Sequence, residues 1–283
     1  MNVTDLAGRS PTWCPGCGNY GIWAGLKNTL VKLNWPLHDF VIVYGIGCSG
    51  NMTDFIKSYG FHALHGRAIP TAIGVKLANH KLKVICVVGD GDFFGEGGNH
   101  FLHALRGNHD LTIIVHDNRV YGLTTGQTAP TSPKGYKSKS TPQGVIEQPV
   151  LGLTIGLVQG ATFVAQAYAG DAAHLQMVFE KAVQHKGLAL VNVLQPCVTF
   201  NKINTYQYYR ERVYKLEESG HNSQDFQRSL DRLTKDGDKI GIGVYYQVNK
   251  PVYHEQIPIL KDEVLVKQPV VTPDLSATFK EFI

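Results

Sequence analysis

Four cysteines, two aspartates and an asparagine are the residues best able to do chemistry. Cys14 and Cys17 stand close together in "PTWCPGCGNYG", residues 11–21. That spacing suits half of a zinc site, a redox dithiol, two ligands of an iron–sulfur cluster, or two buried thiols. Cys48 lies in "GIGCSG" and Cys197 in "QPCVTF", both far from the first pair. The fifth cysteine, Cys86, sits inside the apolar run "VICVV" and reads as a core residue. "GDGD", residues 89–92, and Asn118 of "HDNRVYG" form a second group. A hard cation such as magnesium takes oxygen ligands. Asp90 offers a carboxylate, Asn118 an amide oxygen and Val120 a backbone carbonyl. Gly89 and Gly91 let the backbone approach a phosphate closely.

Elements that could position these residues are visible as short apolar runs. They are "FVIVYGI" (40–46), "KVICVVG" (83–89), "LTIIVHD" (111–117), "ATFVAQA" (161–167) and "LALVNVLQP" (188–196). Continuous runs of this length suit strands buried on both faces, as in a parallel sheet. Helical patterns lie between them. The clearest is "DAAHLQMVFEKAVQHKG", with Leu175, Val178, Phe179, Ala182 and Val183 on one face. Asp171 is its expected N-cap and Gly187 its expected stop. Residues 68–80 and 99–108 are shorter candidates. Alternating strands and helices predict an α/β fold, a parallel sheet with helices on both faces. Cys48, "GDGD", Asn118 and Cys197 each follow a predicted strand. Parallel strands would therefore bring them to one edge, where open α/β sheets bind ligands.

The Thr-, Gly-, Pro- and Lys-rich stretch 123–149 predicts a long loop, functional or mobile. Residues 1–215 read as one domain. Residues 216–283 read as an extension that packs on the core or on a partner. There is no internal repeat.

Composition excludes several classes. The net charge is +4 with scattered basic residues, and no nucleic-acid footprint emerges. No apolar run approaches the roughly 18 residues of a membrane span. "MNVTDLAGRS" has neither the basic nor the apolar region of a signal peptide, which predicts a cytoplasmic location. Thiols stay reduced there, and an odd count of five cysteines also disfavours a disulfide framework.

"GDGD" through "DNRVYG" resembles the thiamine-pyrophosphate motif, which opens with Gly-Asp-Gly and ends in Asn. With "CPGCG", "GIGCSG", "LHGRA", "HDNRVYGLTTGQTAPTSPKG" and "LQPCVTFN", the chain resembles the β subunit of a 2-oxoacid:ferredoxin oxidoreductase over roughly residues 11–215. That resemblance implies a thiamine-diphosphate-binding fold of the pyrophosphate-binding type. It implies one 4Fe–4S cluster on Cys14, Cys17, Cys48 and Cys197, with Gly16 and Gly18 giving the tight path between the first two. Magnesium falls to Asp90, Asn118 and the carbonyl of Val120. Thiamine pyrophosphate is expected against Ile46, Gly47, Cys48, Ser49, His65, Gly89, Gly91, Asp92, Gly122, Leu123 and Thr124. His65 and Ser49 are expected at its reacting end.

The implied reaction is CoA-dependent oxidative decarboxylation of a 2-oxoacid, reversible for CO2 fixation, with electrons passed to ferredoxin. The phrase "NMTDFIKSYGFHALHGRAIPTAIGVKLANH" favours 2-oxoglutarate, with pyruvate or broad 2-oxoacid use as the alternative. The thiamine-activating glutamate is absent from this half of the site. The resemblance assigns it to an α subunit, in a dimer of αβ heterodimers. Arg67 and Lys76 are basic residues near "HGRA" and candidates to meet the substrate, with a solvated face an equally good reading of Lys76. The rival readings are another thiamine enzyme with structural or zinc-bound cysteines, and a non-catalytic electron-transfer subunit.

Overall fold

The computed structural model describes residues 1–261, 263–270 and 274–282. Its strands are β1 (Phe40–Tyr44), β2 (Gly60–His62), β3 (Lys83–Gly89), β4 (Thr112–Asp117), β5 (Val120–Tyr121), β6 (Gln127–Thr128), β7 (Phe163–Tyr168), β8 (Ala189–Leu194), β9 (Val213–Lys215) and β10 (Ile240–Gln247). Eight of them form one sheet in the order β2-β1-β3-β4-β8-β7-β10-β9, and β5 pairs with β6 as a separate hairpin. The helices are α1 (Asn19–Leu33), α2 (Ala68–Ala78), α3 (Gly98–Gly107), α4 (Gly152–Gln159), α5 (Ala172–Gln184), α6 (Tyr206–Arg210), α7 (Phe226–Lys235) and α8 (Ser276–Lys280).

The apolar runs form strands because both of their faces are buried. Phe40, Ile42 and Tyr44 pack on one side of the sheet with Leu26 of α1 and Phe179 of α5. Val41 and Val43 pack on the other side with Ile69 of α2, Phe101 of α3 and Leu157 of α4. Successive side chains point to opposite faces, so a strand between two helix layers must be apolar at every position. Cys86 belongs to the second of these cores and is fully buried. Asp171 caps α5, its carboxylate accepting the N–H of His174 at 3.1 Å. The helix ends at Gln184, before Gly187.

The expected parallel sheet with helices on both faces is present with one exception, and one further expectation is corrected. The sheet is mixed: β10 runs antiparallel to β7, while every other pair in it is parallel. The chain leaves β8 at the carboxyl edge and enters β9 from that same edge. The β9–α7–β10 crossover therefore runs down against its neighbours. Lys76 is not on a solvated face. It is 2% exposed and pairs with Asp110 at 2.6 Å, at the edge opposite the candidate site.

Candidate active site

β1, β3, β4 and β8 are consecutive and parallel in the sheet. Their carboxyl ends therefore lie side by side. Cys48 follows β1, Asp90 follows β3, Asn118 follows β4 and Cys197 follows β8. Cys14 and Cys17 reach this edge from the segment before α1. The N–H of Gly18 donates to Pro196 O at 3.0 Å, and Trp13 Nε1 donates to Cys48 O at 2.7 Å. The Cys17 N–H closes a turn onto Cys14 O at 3.0 Å. Gly16 holds that turn at φ +80°, where a side chain would be strained.

Cys14, Cys17, Cys48 and Cys197 ring one cavity of about 150 Å³. Burial pushes the Cys17 thiol up to about 11, and the N–H of Asn19 and the Gln195 amide oppose that rise. Burial, then Cys17, Cys197 and Cys14, pushes Cys48 up to about 12. Both are neutral thiols at pH 7, so a metal centre that binds them as thiolates must displace their protons. Among the described residues, no three His, Cys, Asp or Glu side chains are gathered as one small ion would need. The four cysteines enclose a volume instead.

A second cavity of about 110 Å³ adjoins the first, and Cys48, Asn118, Gly122, Leu123 and Gln195 line both. Ile46, Gly47, Cys48 and Ser49 enter it after β1, and His65 from the loop before α2. Gly89, Asp90, Gly91 and Asp92 enter it after β3; Asn118, Val120, Gly122, Leu123 and Thr124 enter it after β4. Gly122 shows how close the two cavities are. A Cβ there would lie 3.5 Å from Cys48 Sγ, 3.8 Å from Cys197 Sγ and 3.5 Å from Asn118 Nδ2.

Burial, then the charge of Asp117, pushes the Asp90 carboxyl up to about 8. Asp90 Oδ2 accepts the Arg119 N–H at 3.0 Å and the Thr131 hydroxyl. Asn118 Oδ1 accepts the Val120 N–H at 3.0 Å. Asp92 Oδ1 accepts the Gly66 N–H at 2.8 Å and lies 2.9 Å from His65 Nδ1. His65 Nδ1 itself has no hydrogen-bond partner among the described residues. Ser49 Oγ, Asp92 Oδ2, His116 Nε2 and Gln195 Oε1 are buried without a hydrogen-bond partner among the described residues. Their residues all line this cavity. Buried polar atoms are normally paired, so an unpaired set around one cavity suits a polar ligand. The donor set fits a diphosphate held through a divalent cation, with Asp90 and Asn118 as oxygen donors.

The family models, relatives and solved structures agree with this geometry. The model described as thiamine pyrophosphate enzyme, C-terminal TPP binding domain, matches residues 45–193. A second model, for the C-terminal part of the pyruvate ferredoxin oxidoreductase beta chain, matches residues 197–262. A 2-oxoacid:ferredoxin oxidoreductase subunit beta from Sulfolobus sp is 44% identical over 258 residues, covering 87% of this chain and 85% of that protein. The chain belongs to the 2-oxoacid:ferredoxin oxidoreductase β-subunit family. A 2-oxoglutarate oxidoreductase subunit KorB from Mycobacterium tuberculosis is 46% identical over 189 residues, covering 67% of this chain and 51% of its own length. The solved 2-oxoglutarate:ferredoxin oxidoreductase from Magnetococcus marinus, with 2-oxoglutarate, coenzyme A and succinyl-CoA bound, superposes with a TM-score of 0.87. It is 38% identical and covers 89% of this chain and 87% of that one.

The second family model carries the likeness of this β subunit past residue 215, where its motifs fade. Three residues lining the second cavity escaped the sequence reading. Tyr121 and Gln195 stand inside the motifs "HDNRVYG" and "LQPCVTFN", and Tyr121 OH donates to Gly91 O at 3.0 Å. His116 precedes "DN", and its Nδ1 lies 2.7 Å from Asn19 Oδ1. Burial pushes the His116 imidazole down to about 3. The loop 123–149 is tied to the site through Thr131, through Ser132 on Arg119 O at 2.7 Å, and through Tyr136 on Phe200 O at 3.0 Å. A larger cavity of about 320 Å³ lies on the far side of the Asp117–Arg119 turn, among Arg119, Arg232, Asp236 and Lys239. None of the cysteines lines it, and the two smaller, adjoining cavities form the candidate site.

Proposed function

We propose that this β subunit binds thiamine pyrophosphate, magnesium and one 4Fe–4S cluster. In this reading it acts with an α subunit to convert 2-oxoglutarate and coenzyme A to succinyl-CoA, passing electrons to ferredoxin. The observation that carries the reading is the pair of adjoining cavities sharing Cys48, Asn118, Gly122, Leu123 and Gln195. Asp90, Asn118 and the Val120 carbonyl would hold magnesium. Cys14, Cys17, Cys48 and Cys197 would hold the cluster. When bound, thiamine pyrophosphate supplies the carbon nucleophile and electron sink for decarboxylation, and the cluster supplies one-electron transfer. This chain's own residues position and shield: Asp92 orients His65, and the cavity walls exclude water from the reacting end.

Two features support a partner that completes the site. A cavity of about 110 Å³ falls below the roughly 300 Å³ that encloses a drug-sized ligand, so this chain supplies one wall. Tyr59, Phe61 of the edge strand β2, Leu64 and Leu123 are large apolar side chains left exposed in the segments that lead to His65 and follow Asn118. We assign that surface to the α subunit, in a dimer of αβ heterodimers working in the cytoplasm.

The test is ferredoxin reduction by the αβ complex purified without oxygen, with 2-oxoglutarate and pyruvate compared under saturating CoA. A preference of at least tenfold in kcat/KM for 2-oxoglutarate is expected, with four irons per β subunit. Preference for pyruvate would overturn the substrate. A colourless protein containing zinc would overturn the cluster.

A further inference from the structure

Gln195 stands in the wall between the two cavities and lines both. It is 1% exposed. Its backbone N–H bonds to Asp117 O at 3.0 Å, which fixes it to the end of β4. Its side-chain Nε2 donates to Cys17 Sγ at 3.4 Å. No other side chain among the described residues donates to a cysteine sulfur. The amide Oε1 is buried without a partner among the described residues.

We propose that Gln195 is a positioning residue that sets the reduction potential of the iron–sulfur site through its hydrogen bond to the Cys17 thiolate. The inference rests on the four-cysteine reading above. One-electron reduction adds a negative charge to the cluster and its sulfurs. A fixed N–H donor stabilises the more negative state more strongly, so it raises the midpoint potential. Burial strengthens the effect, because water does not screen the amide dipole there. Gln195 acts on the metal through a ligand, which is how groups outside the coordination sphere tune a metal centre. Gln195 also lines the second cavity, so the residue stands between the proposed electron source and electron acceptor.

The experiment is a redox titration of the αβ complex, prepared without oxygen and reduced by dithionite with mediators. The EPR signal of the reduced cluster is the readout. Gln195→Met keeps the length of the side chain and removes the donor, so its midpoint is expected below that of the wild type. Gln195→Glu removes the donor and adds a like charge beside the thiolate, so its midpoint is expected lower still. Cluster-replete Gln195→Met protein with an unchanged or raised midpoint overturns the proposal alone. Wild-type complex without iron overturns the four-cysteine reading, and this inference with it. If both variants lose iron, pulsed EPR of wild-type protein carrying 15N in its glutamine side chains decides. Among the described residues, Gln195 is the only glutamine lining either cavity. A 15N coupling to the reduced cluster supports the hydrogen bond, and its absence overturns it.

Discussion

Cys48 lines both cavities, and Cys14, Cys17 and Cys197 line only one of them. Its backbone carbonyl takes the Trp13 indole N–H, so the same residue also anchors the N-terminal loop that delivers Cys14 and Cys17. Cys86 is the natural control, being fully buried in the core with none of these contacts. Replacing Cys48 with alanine is expected to abolish the cluster's visible absorbance and ferredoxin reduction. Cys86→Ala is expected to keep both at the wild-type level and to cost about 1 kcal/mol of stability through one lost buried atom. Iron analysis and denaturant titration of the two variants check this, and a Cys48→Ala protein that still reduces ferredoxin would refute the assignment. Much of the candidate site was legible in the sequence. The types and spacing of Asp90, Asn118 and the four cysteines carry chemistry on their face. Gln195 and His116 were not legible, because a sequence does not state which way a buried amide or imidazole points.

Among the elements, α1 matters most to the proposed cluster site, since it fixes Cys17 by holding the turn that precedes it. It packs against α5 and the sheet through Ile22, Leu26 and Leu30. Gly21 is its closest approach: a Cβ there would lie 2.3 Å from Ala169 O. Gly21→Val is therefore expected to push the start of α1 away from the end of β7, costing about 1–3 kcal/mol by overpacking. It should also separate Cys14 and Cys17 from Cys48 and Cys197. Lowered melting temperature together with reduced iron content is the expected result, whereas loss of stability with full iron would show that the loop holds its position without the helix. The sequence pattern announced the central strands but not α1. That helix has no side-chain N-cap, and Gly21 and Gly25 interrupt it, so the usual start signal and propensity are both weak. β10 escaped for a related reason, since "IGIGVYYQ" carries two glycines that weaken a strand pattern.

The whole molecule has two unlike edges. The candidate site lies at the carboxyl ends of the strands, and residues 251–255 pack over the opposite edge. There Tyr253 packs on His109 with ring centroids 4.3 Å apart, and His254 stacks on His80 at 5.1 Å. Asn108 Nδ2 donates to Pro251 O at 3.0 Å, and Lys186 pairs with Glu255. The Lys76–Asp110 pair lies beneath. Burial, then His254, pushes the His109 imidazole down from 6.5 to about 4. Burial, then Lys76, lowers His254 as well, with Asp110 and Glu255 opposing. A depressed histidine is neutral in the folded protein at pH values where the unfolded chain is protonated. Between pH 6.5 and 4 the unfolded state thus binds more protons, and stability rises with pH in that window. The contribution of His109 is complete above 6.5 and is lost as pH falls toward 4, on the order of 3 kcal/mol. Hydrogen exchange of the αβ complex, corrected for the intrinsic rate, is expected to show residues 251–261 opening first as pH falls from 7 to 4.5, before β3 and β4 lose protection. His109→Gln removes that titration and should flatten the dependence. Protection of residues 251–261 that holds until the sheet itself opens would show that this segment is held by its apolar contacts and not by the neutral histidines.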